Sequence, residues 1–390
     1  MQPEQTNKIV IVGGGPVGTT LALALKGKGI PILVLEARSQ GASHKDQRAL
    51  ALSYGSRMIL ERLGLWKSLA VQATAINTIH VSQRGSIGRS RLQASDYGQD
   101  ALGYVLPYGV LGAALDNALA ESTEVGILYD AKVTDIKTTE NEAWITYSNA
   151  DGSTQDLSSA LAVIADGGNS LAHLPYLQRK TRDYGHSALV TKVASEVPHK
   201  NVAYERFTPD GPVALLPNGH EFSLVWTGKY DHIAALLEMN DVVFLKRLHQ
   251  HFGDRVGEFL TVGPRLSFPL RLAYLDSVVM PHVAVIGNAA QTMHPVAGQG
   301  FNIGLRDAWE LAGCIVSLGA ADLGGEQMLR SYRQSRKADT QGGLMFTDFL
   351  INVFSNDVIG VSGTRGVALG LLDVIKPLKR GLIGKMSFGA

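Results

Sequence analysis

Gly13, Gly15 and Gly18, followed by Glu36, form a set whose spacing can hold a dinucleotide. The first glycine permits a tight turn, the second lets backbone approach a pyrophosphate, and the third lets helix and strand pack closely. A helix N-terminus behind such a turn presents free N–H groups and a positive dipole end to phosphates. Glu36, at the tip of the next strand, is placed to accept hydrogen bonds from ribose hydroxyls. A GxGxxG alone is often only a turn. With a strand before it, a helix after it and the acid at this distance, a dinucleotide site is the better reading, although the spacing does not separate FAD from NAD.

Two further segments carry chemistry. Ala165-Asp166-Gly167-Gly168-Asn169-Ser170 follows an apolar run, and by itself an Asp-Gly pair there reads as a simple turn. Gly287-Asn288-Ala289-Ala290 follows another such run and leads into His294-Pro295-Val296-Ala297-Gly298-Gln299-Gly300-Phe301-Asn302-Ile303-Gly304-Leu305-Arg306-Asp307. Four glycines and a proline between Gly287 and Asp307 bring backbone close to something flat or charged.

These residues need elements to position them. Ile9 to Val12 is continuous and β-branched, as in a strand buried on both faces. Thr19 to Lys28 reads as a helix, and Ile32 to Leu35 as the second strand of a βαβ unit. Ser53 to Ala70 has helical spacing, Thr78 to Ser82 reads as a strand, and 85–100 as a loop or hairpin. Leu111 to Leu119 reads as helix, Gly126 to Asp156 as hairpin-like alternation, and Leu161 to Ile164 as another buried strand. From about 175 to 275, short alternating runs divided by Pro and Gly predict an antiparallel sheet, interrupted by a helix from Ile233 to Phe252. Val283 to Ile286 is again a buried strand, and from Leu305 the pattern is mainly helical.

The fold class is therefore α/β: a Rossmann-like lobe interleaved with an antiparallel-sheet lobe and a helical C-terminal tail. The expected parts are 1–174 (with an excursion to the sheet lobe near 72–110), 175–275, 276–345 and 346–390. At 390 residues the chain exceeds the size at which one core stops growing, about 250–300 residues. A net charge of +1 provides no field for nucleic acid, and a lone Cys314 supports neither a disulfide framework nor a cysteine metal site. Only Met1 to Lys8 precede the first apolar run, which is too short for a signal segment. No stretch reaches the roughly 18–20 apolar residues of a membrane span. A cytoplasmic location is expected, with peripheral attachment to the inner face of the membrane left open.

Taken together, Gly13/Gly15/Gly18, Asp166-Gly167 and the Gly287 segment resemble the aromatic-ring flavoprotein monooxygenases related to p-hydroxybenzoate hydroxylase. The run His294 to Asp307 is similar to the signature of the ubiquinone-biosynthesis hydroxylases, as are Asp46-x-Arg48-Ala49-Leu50-Ala51-Leu52, Glu205-Arg206-Phe207-Thr208 and Ser223-Leu224-Val225-Trp226. Within that family the likeness is greatest to the 2-octaprenyl-6-methoxyphenol hydroxylase group. The resemblance implies FAD as cofactor, with Arg48 reaching its pyrophosphate, and Asp166 and Gly167 near the flavin. Asn288 would stand where the family usually has an Asp on a ribityl hydroxyl. The loop Pro295 to Asn302, including Gly298, would lie beside the isoalloxazine ring, with Gly300 and Asn302 at its pyrimidine edge. Near Leu111-Gly112-Ala113, relatives often carry Gln or Arg facing the flavin, and that contact is missing here.

The implied reaction is hydroxylation of a polyprenylated phenol by O2 through a flavin hydroperoxide, with NAD(P)H as transient reductant. The absence of a second GxGxxG-plus-acid unit fits a reductant without its own Rossmann domain. Candidate bases for the phenol are His294, Tyr184 and His186, with His294 favoured by position. The tail from Asp357 mixes apolar residues with Arg365, Lys376, Lys379, Arg380 and Lys385. It reads either as a helical cap with a solvated basic edge or as attachment to an anionic membrane. A hydroxylase of a different, soluble phenol and a weakly flavinated member of a quinone-biosynthesis complex remain the alternatives.

Overall fold

The computed structural model describes residues 9–84, 89–208, 211–292, 299–319, 322–337 and 384. The four runs read as buried strands lie side by side in one sheet, with an order of Val279–Met280, Val283–Val285, Leu161–Ile164, Ile9–Val12, Ile32–Leu35 and Val125–Leu128. All pairs are parallel except the two-residue edge strand. Their continuous apolar character has a direct cause: both faces are covered. Ile9, Ile11 and Val34 pack with Leu21, Leu311 and Ile315 on the helical side. Val10, Val12 and Leu35 pack with Ile136, Ile145 and Tyr147 on the other. Those last residues come from a three-stranded antiparallel sheet of Lys132–Thr138, Ala143–Ser148 and Thr154–Ser159. The hairpin-like reading from Gly126 therefore starts too early, because Val125–Leu128 is a strand of the parallel sheet.

A second, larger sheet has nine strands among the described residues. Its main path runs Gln291–Thr292, Leu266–Leu275, Arg179–Ser195, Glu221–Lys229, Val213–Asn218, Val202–Phe207, Thr78–Gln83 and Arg89–Gln93. It is antiparallel except where Val202–Phe207 pairs in parallel with Thr78–Gln83. Helices Tyr230–Glu238 and Asp241–Phe252 cover one face, burying Leu236, Phe244, Leu248 and Phe252 on Leu189, Leu224 and Trp226. The sequence pattern reads these as one helix from Ile233 to Phe252. They are two because Asn240 starts the second, its side chain accepting a hydrogen bond from the Val243 amide.

A small sheet of Ala49–Ser53, Gly103–Pro107 and Thr74–Ile76 lies between the lobes. Ile76 and Val105 pack with Ala203 of the large sheet, while Leu52 and Leu106 pack with Leu305 on the opposite side. Two element boundaries also differ from the sequence pattern. The first helix is Pro16–Leu25, because proline at the first turn needs no N–H there. The long helix begins at Gln299 and runs to Leu318, ahead of the expected Leu305. The tail 346–390, with its basic residues, lies outside the described residues apart from Gly384.

Candidate functional site

Four turns leave the carboxyl ends of the parallel strands on one edge of the sheet. They begin at Gly13, Glu36, Ala165 and Ile286, and such an edge is where open α/β sheets bind ligands. The glycines there have different reasons to be glycine. Gly13 (φ +106°) lies against the Asp166 backbone, where a Cβ would come within 2.8 Å. A Cβ on Gly18 would stand 2.1 Å from the Gly13 carbonyl oxygen, so that position is set by helix-to-turn packing. At Gly15 a Cβ would meet no protein atom within 4 Å. Gly15 also caps the first helix without a side-chain hydrogen bond. The backbone there faces open space at a helix N-terminus, a cradle suited to a phosphate.

Glu36 is buried, and its carboxylate accepts from the Gly14 amide at 2.7 Å and from Arg38 through both backbone and side chain. Gly14 is glycine for this contact: a Cβ would lie 3.0 Å from Glu36 Cβ. The turn and the acid are thus joined directly, with acceptor capacity left on a carboxylate for a ribose hydroxyl.

The Gly287 turn docks on this first site. Gly287 has φ +64°, and a Cβ on it would touch Val17 at 3.1 Å. A Cβ on Gly304 would come within 3.0 Å of Val17 and 3.2 Å of Gly287 Cα. Asp307 is buried and holds the turn, accepting from the Gly287 amide at 2.9 Å and the Gln291 amide group at 2.7 Å. Burial pushes the Asp307 carboxyl above its ordinary value, opposed chiefly by the Arg336 guanidinium 2.6 Å away. Asn288 is exposed beside this turn, with its carbonyl accepting from Arg179 at 3.0 Å. Arg179 also donates to Thr292 at 2.8 Å and lies against Gly168, tying the 166–170 turn to the 287–292 turn. Burial lowers the Arg179 pKa, with Asp166 opposing. No sequence signal marks Arg179, a strand residue brought here by register alone.

The side chains expected near the cofactor have partners within the chain. The Asp166 carboxylate is spent on its own turn, accepting from the Gly168 amide at 2.9 Å, the Ser170 amide at 2.8 Å and the Ser170 hydroxyl at 2.6 Å. Gly167 beside it (φ +76°) faces open space. Arg48 is held by Asp46, with its Nε 2.9 Å from Oδ2, and lies over the Tyr108 and Phe268 rings at 5.5 and 5.9 Å. Asp46 engages its Nε and Nη2, and the guanidinium stays half-exposed. Gly300 and Asn302 lie in the first turn of the long helix rather than in a loop. The Asn302 side chain is buried and committed: it accepts from the Ser53 amide at 2.8 Å and the Ser56 hydroxyl at 2.7 Å, and donates to the Ala51 carbonyl at 2.9 Å. The backbone of this helix start can still meet a ligand.

At Gly112 a Cβ would fall 2.6 Å from Ser43 Oγ, so no larger side chain fits there without movement. Of the candidate bases, His186 has its Nδ1 2.6 Å from the Tyr184 carbonyl oxygen, and the Tyr184 ring lies under Arg182 at 5.5 Å. His294, Pro295 and Gly298 lie outside the described residues.

Comparison with known proteins identifies the family. The family model described as "FAD binding domain" matches residues 6–347. The chain is 35% identical over 383 residues to the ubiquinone hydroxylase UbiL of Rhodospirillum rubrum, covering 95% of this chain and 87% of that protein. It is 30% identical over 390 residues to the 3-demethoxyubiquinol 3-hydroxylase of Escherichia coli, covering 96% and 97%. The crystal structure of p-nitrophenol 4-monooxygenase PnpA from Pseudomonas putida superposes with a TM-score of 0.78 at 17% identity, covering 98% of each chain, which is a likeness of fold. With a family match across most of its length and relatives of this similarity over nearly all of it, the chain belongs to the FAD-binding-domain family and is an FAD-dependent aromatic monooxygenase of the p-hydroxybenzoate hydroxylase-like fold.

Proposed function

We propose that the chain hydroxylates a polyprenylated phenol in ubiquinone biosynthesis, using O2 and NAD(P)H. The observation that carries this reading is the joining of the Gly13 turn, the Glu36 carboxylate and the Gly287 turn on one sheet edge, in a chain whose relatives are named ubiquinone hydroxylases. The residues present fit FAD, since Gly15 leaves an open cradle and Glu36 an acceptor beside it. In this reading Gly13, Gly15, Gly18 and Glu36 hold the adenosine diphosphate half. Asn288 and the Gly287 turn serve the ribityl chain, the backbone at Gly300 and Asn302 meets the ring, and Asp166-Gly167 and Arg48 border the site. His294, Pro295 and Gly298 join them on sequence grounds alone. Bound there, FAD supplies electron transfer from NAD(P)H and oxygen transfer from O2.

The chain's own task is to orient the phenol and keep water out. The parts 1–174 and 276–345 hold the cofactor in this reading, and 175–275 covers the substrate. Among the described residues no helix is long and apolar enough to cross a membrane. For a membrane-borne substrate, the basic sequence of the tail is the proposed point of peripheral contact. Membership of a quinone-biosynthesis complex is part of the same proposal.

The test has two stages. Purified protein should carry near-stoichiometric FAD, and with NAD(P)H and O2 it should add one oxygen to a prenylphenol, as read by mass spectrometry. Deletion of the gene should accumulate a quinone precursor lacking one ring hydroxyl. Protein that takes up no FAD, or accumulation of an unrelated intermediate, refutes the reading.

A further inference from the structure

Among the described residues the large sheet has one face without helices, and its side chains can be assigned by alternation. On strand Val202–Phe207, the Tyr204 ring meets Phe222 at 6.1 Å and Phe252 at 5.6 Å, on the helix-covered face. Ala203 packs with Ile76 and Val105 of the small sheet, on the other face. The register through this strand is unbroken: Glu205 stands opposite Ala214 on one side and Val81 on the other. Successive side chains alternate, so Glu205 shares the face of Ala203. Its row across the sheet continues through Ala214, Val225 and Val190. One carboxylate therefore stands among alanine and valines.

That face looks toward the cofactor lobe. The small sheet opposite contains Ala49–Ser53, whose last amide is bound by Asn302 at the start of the long helix. Arg48, at the beginning of the same strand, meets Phe268 of the large sheet. No hydrogen-bonding or charged group among the described residues acts on the Glu205 carboxyl. It is enclosed deeply enough that burial alone pushes its carboxyl to about 7, yet it keeps some surface accessible to water. An acid that is enclosed, still accessible and unpaired has unmet acceptor capacity, and leaving it without a partner costs stability. A ligand that donates a hydrogen bond explains why it is there.

We propose that Glu205 binds the phenolic hydroxyl of the substrate and takes its proton, as the general base of the hydroxylation. This rests on the hydroxylase reading above. The phenolic O–H bond breaks, the proton passes to a Glu205 carboxylate oxygen, and the electron pair stays on the phenol oxygen. Delocalised into the ring, it makes the ring carbon a better nucleophile toward the oxygen atom supplied from O2. Overall a ring C–H becomes C–OH, the other oxygen atom leaves as water, and NAD(P)H is oxidised. The proton returns from Glu205 as product leaves.

Among the described residues the other charged or titratable groups on this face are His186, Lys192, Glu221, Lys229 and Tyr274, and the Arg48–Asp46 pair beside Phe268. His186 already has one ring nitrogen engaged by the Tyr184 carbonyl. Arg206 points the other way, toward the helix-covered side where Arg255 opposes its charge.

The experiment uses the flavin-loaded full chain, a 2-prenylphenol with a two-isoprene tail, and the methyl ether of that phenol. Binding is read without reductant from perturbation of the flavin spectrum, and turnover as product formed per NAD(P)H consumed. In the wild type, kcat/KM for hydroxylation should rise with pH to a plateau, with a midpoint near 7, and the phenol should bind more tightly than its ether. Glu205→Gln should keep its flavin, lose the rising limb and fall about 10²-fold or more in hydroxylation. Glu205→Leu should in addition lose the preference for phenol over ether. A flavin-loaded E205Q within about threefold of wild type and with the same limb overturns the assignment. Equal wild-type binding of phenol and ether also overturns it, and needs no variant. A wild type that holds FAD but hydroxylates no prenylphenol overturns the proposed function and this base together, whereas active wild type with unaffected E205Q overturns Glu205 alone.

Discussion

The Asp307 carboxylate accepts the Gly287 amide at 2.9 Å, fixing the turn after one strand to the middle of the long helix. The same carboxylate pairs with Arg336, and both partners are almost fully buried. Removing one member of such a pair strands the other charge in the interior. Asp307→Ala should destabilise the chain by about 3–5 kcal/mol in denaturant titration, with Asp307→Asn costing less because it keeps an acceptor for Gly287.

Two glycines five and two residues beyond Gly13 should respond in opposite ways. Gly18→Ala drives a Cβ into the Gly13 carbonyl and should destabilise the apo-protein by at least about 1–3 kcal/mol. Gly15→Val meets no protein atom, and its backbone (φ −68°, ψ 174°) suits any residue. It should leave apo-protein stability within about 0.5 kcal/mol of wild type while abolishing FAD retention. Thermal melts and flavin absorbance read the two effects separately. Retention of stoichiometric FAD by G15V would remove the phosphate from this cradle.

Glu36→Ala deletes the acceptor of the Gly14 amide and the anchor of Arg38. A hydrogen bond to a charged group contributes about 1.5–3 kcal/mol, which corresponds to roughly 10–100-fold in FAD affinity. Titration of apo-protein with FAD measures it, and Glu36→Gln should recover part of the loss.

Asn302→Ala leaves the buried Ser53 amide and Ala51 carbonyl without their partner. The expected cost is about 1–3 kcal/mol per unsatisfied group. Faster amide exchange should follow at Ser53 and in the first turn of the long helix, with no change in the Gly13 turn.

What the sequence determined by itself is what short-range sterics and periodicity control. The run Ile9 to Val12, the glycines after it and Glu36 could be placed on strand, turn and strand because those preferences act over a few residues. Interleaved lobes and a dinucleotide site followed from them. The corrections concern long-range partners. Asn302 was expected beside the flavin, and its side chain is held by Ser53 and Ala51, some 250 positions away. Arg179 joins two turns because strand register carries it there, and nothing in its neighbours announces that. The sharpest case is Glu205, which in sequence is an acid between a tyrosine and an arginine. Only pairing with Ala214 and Val81 decides which face it takes, and a shift of one residue would turn it toward the helices instead. The chemistry of a side chain is written in the chain, but its partner is decided by packing between segments that meet only in the folded state.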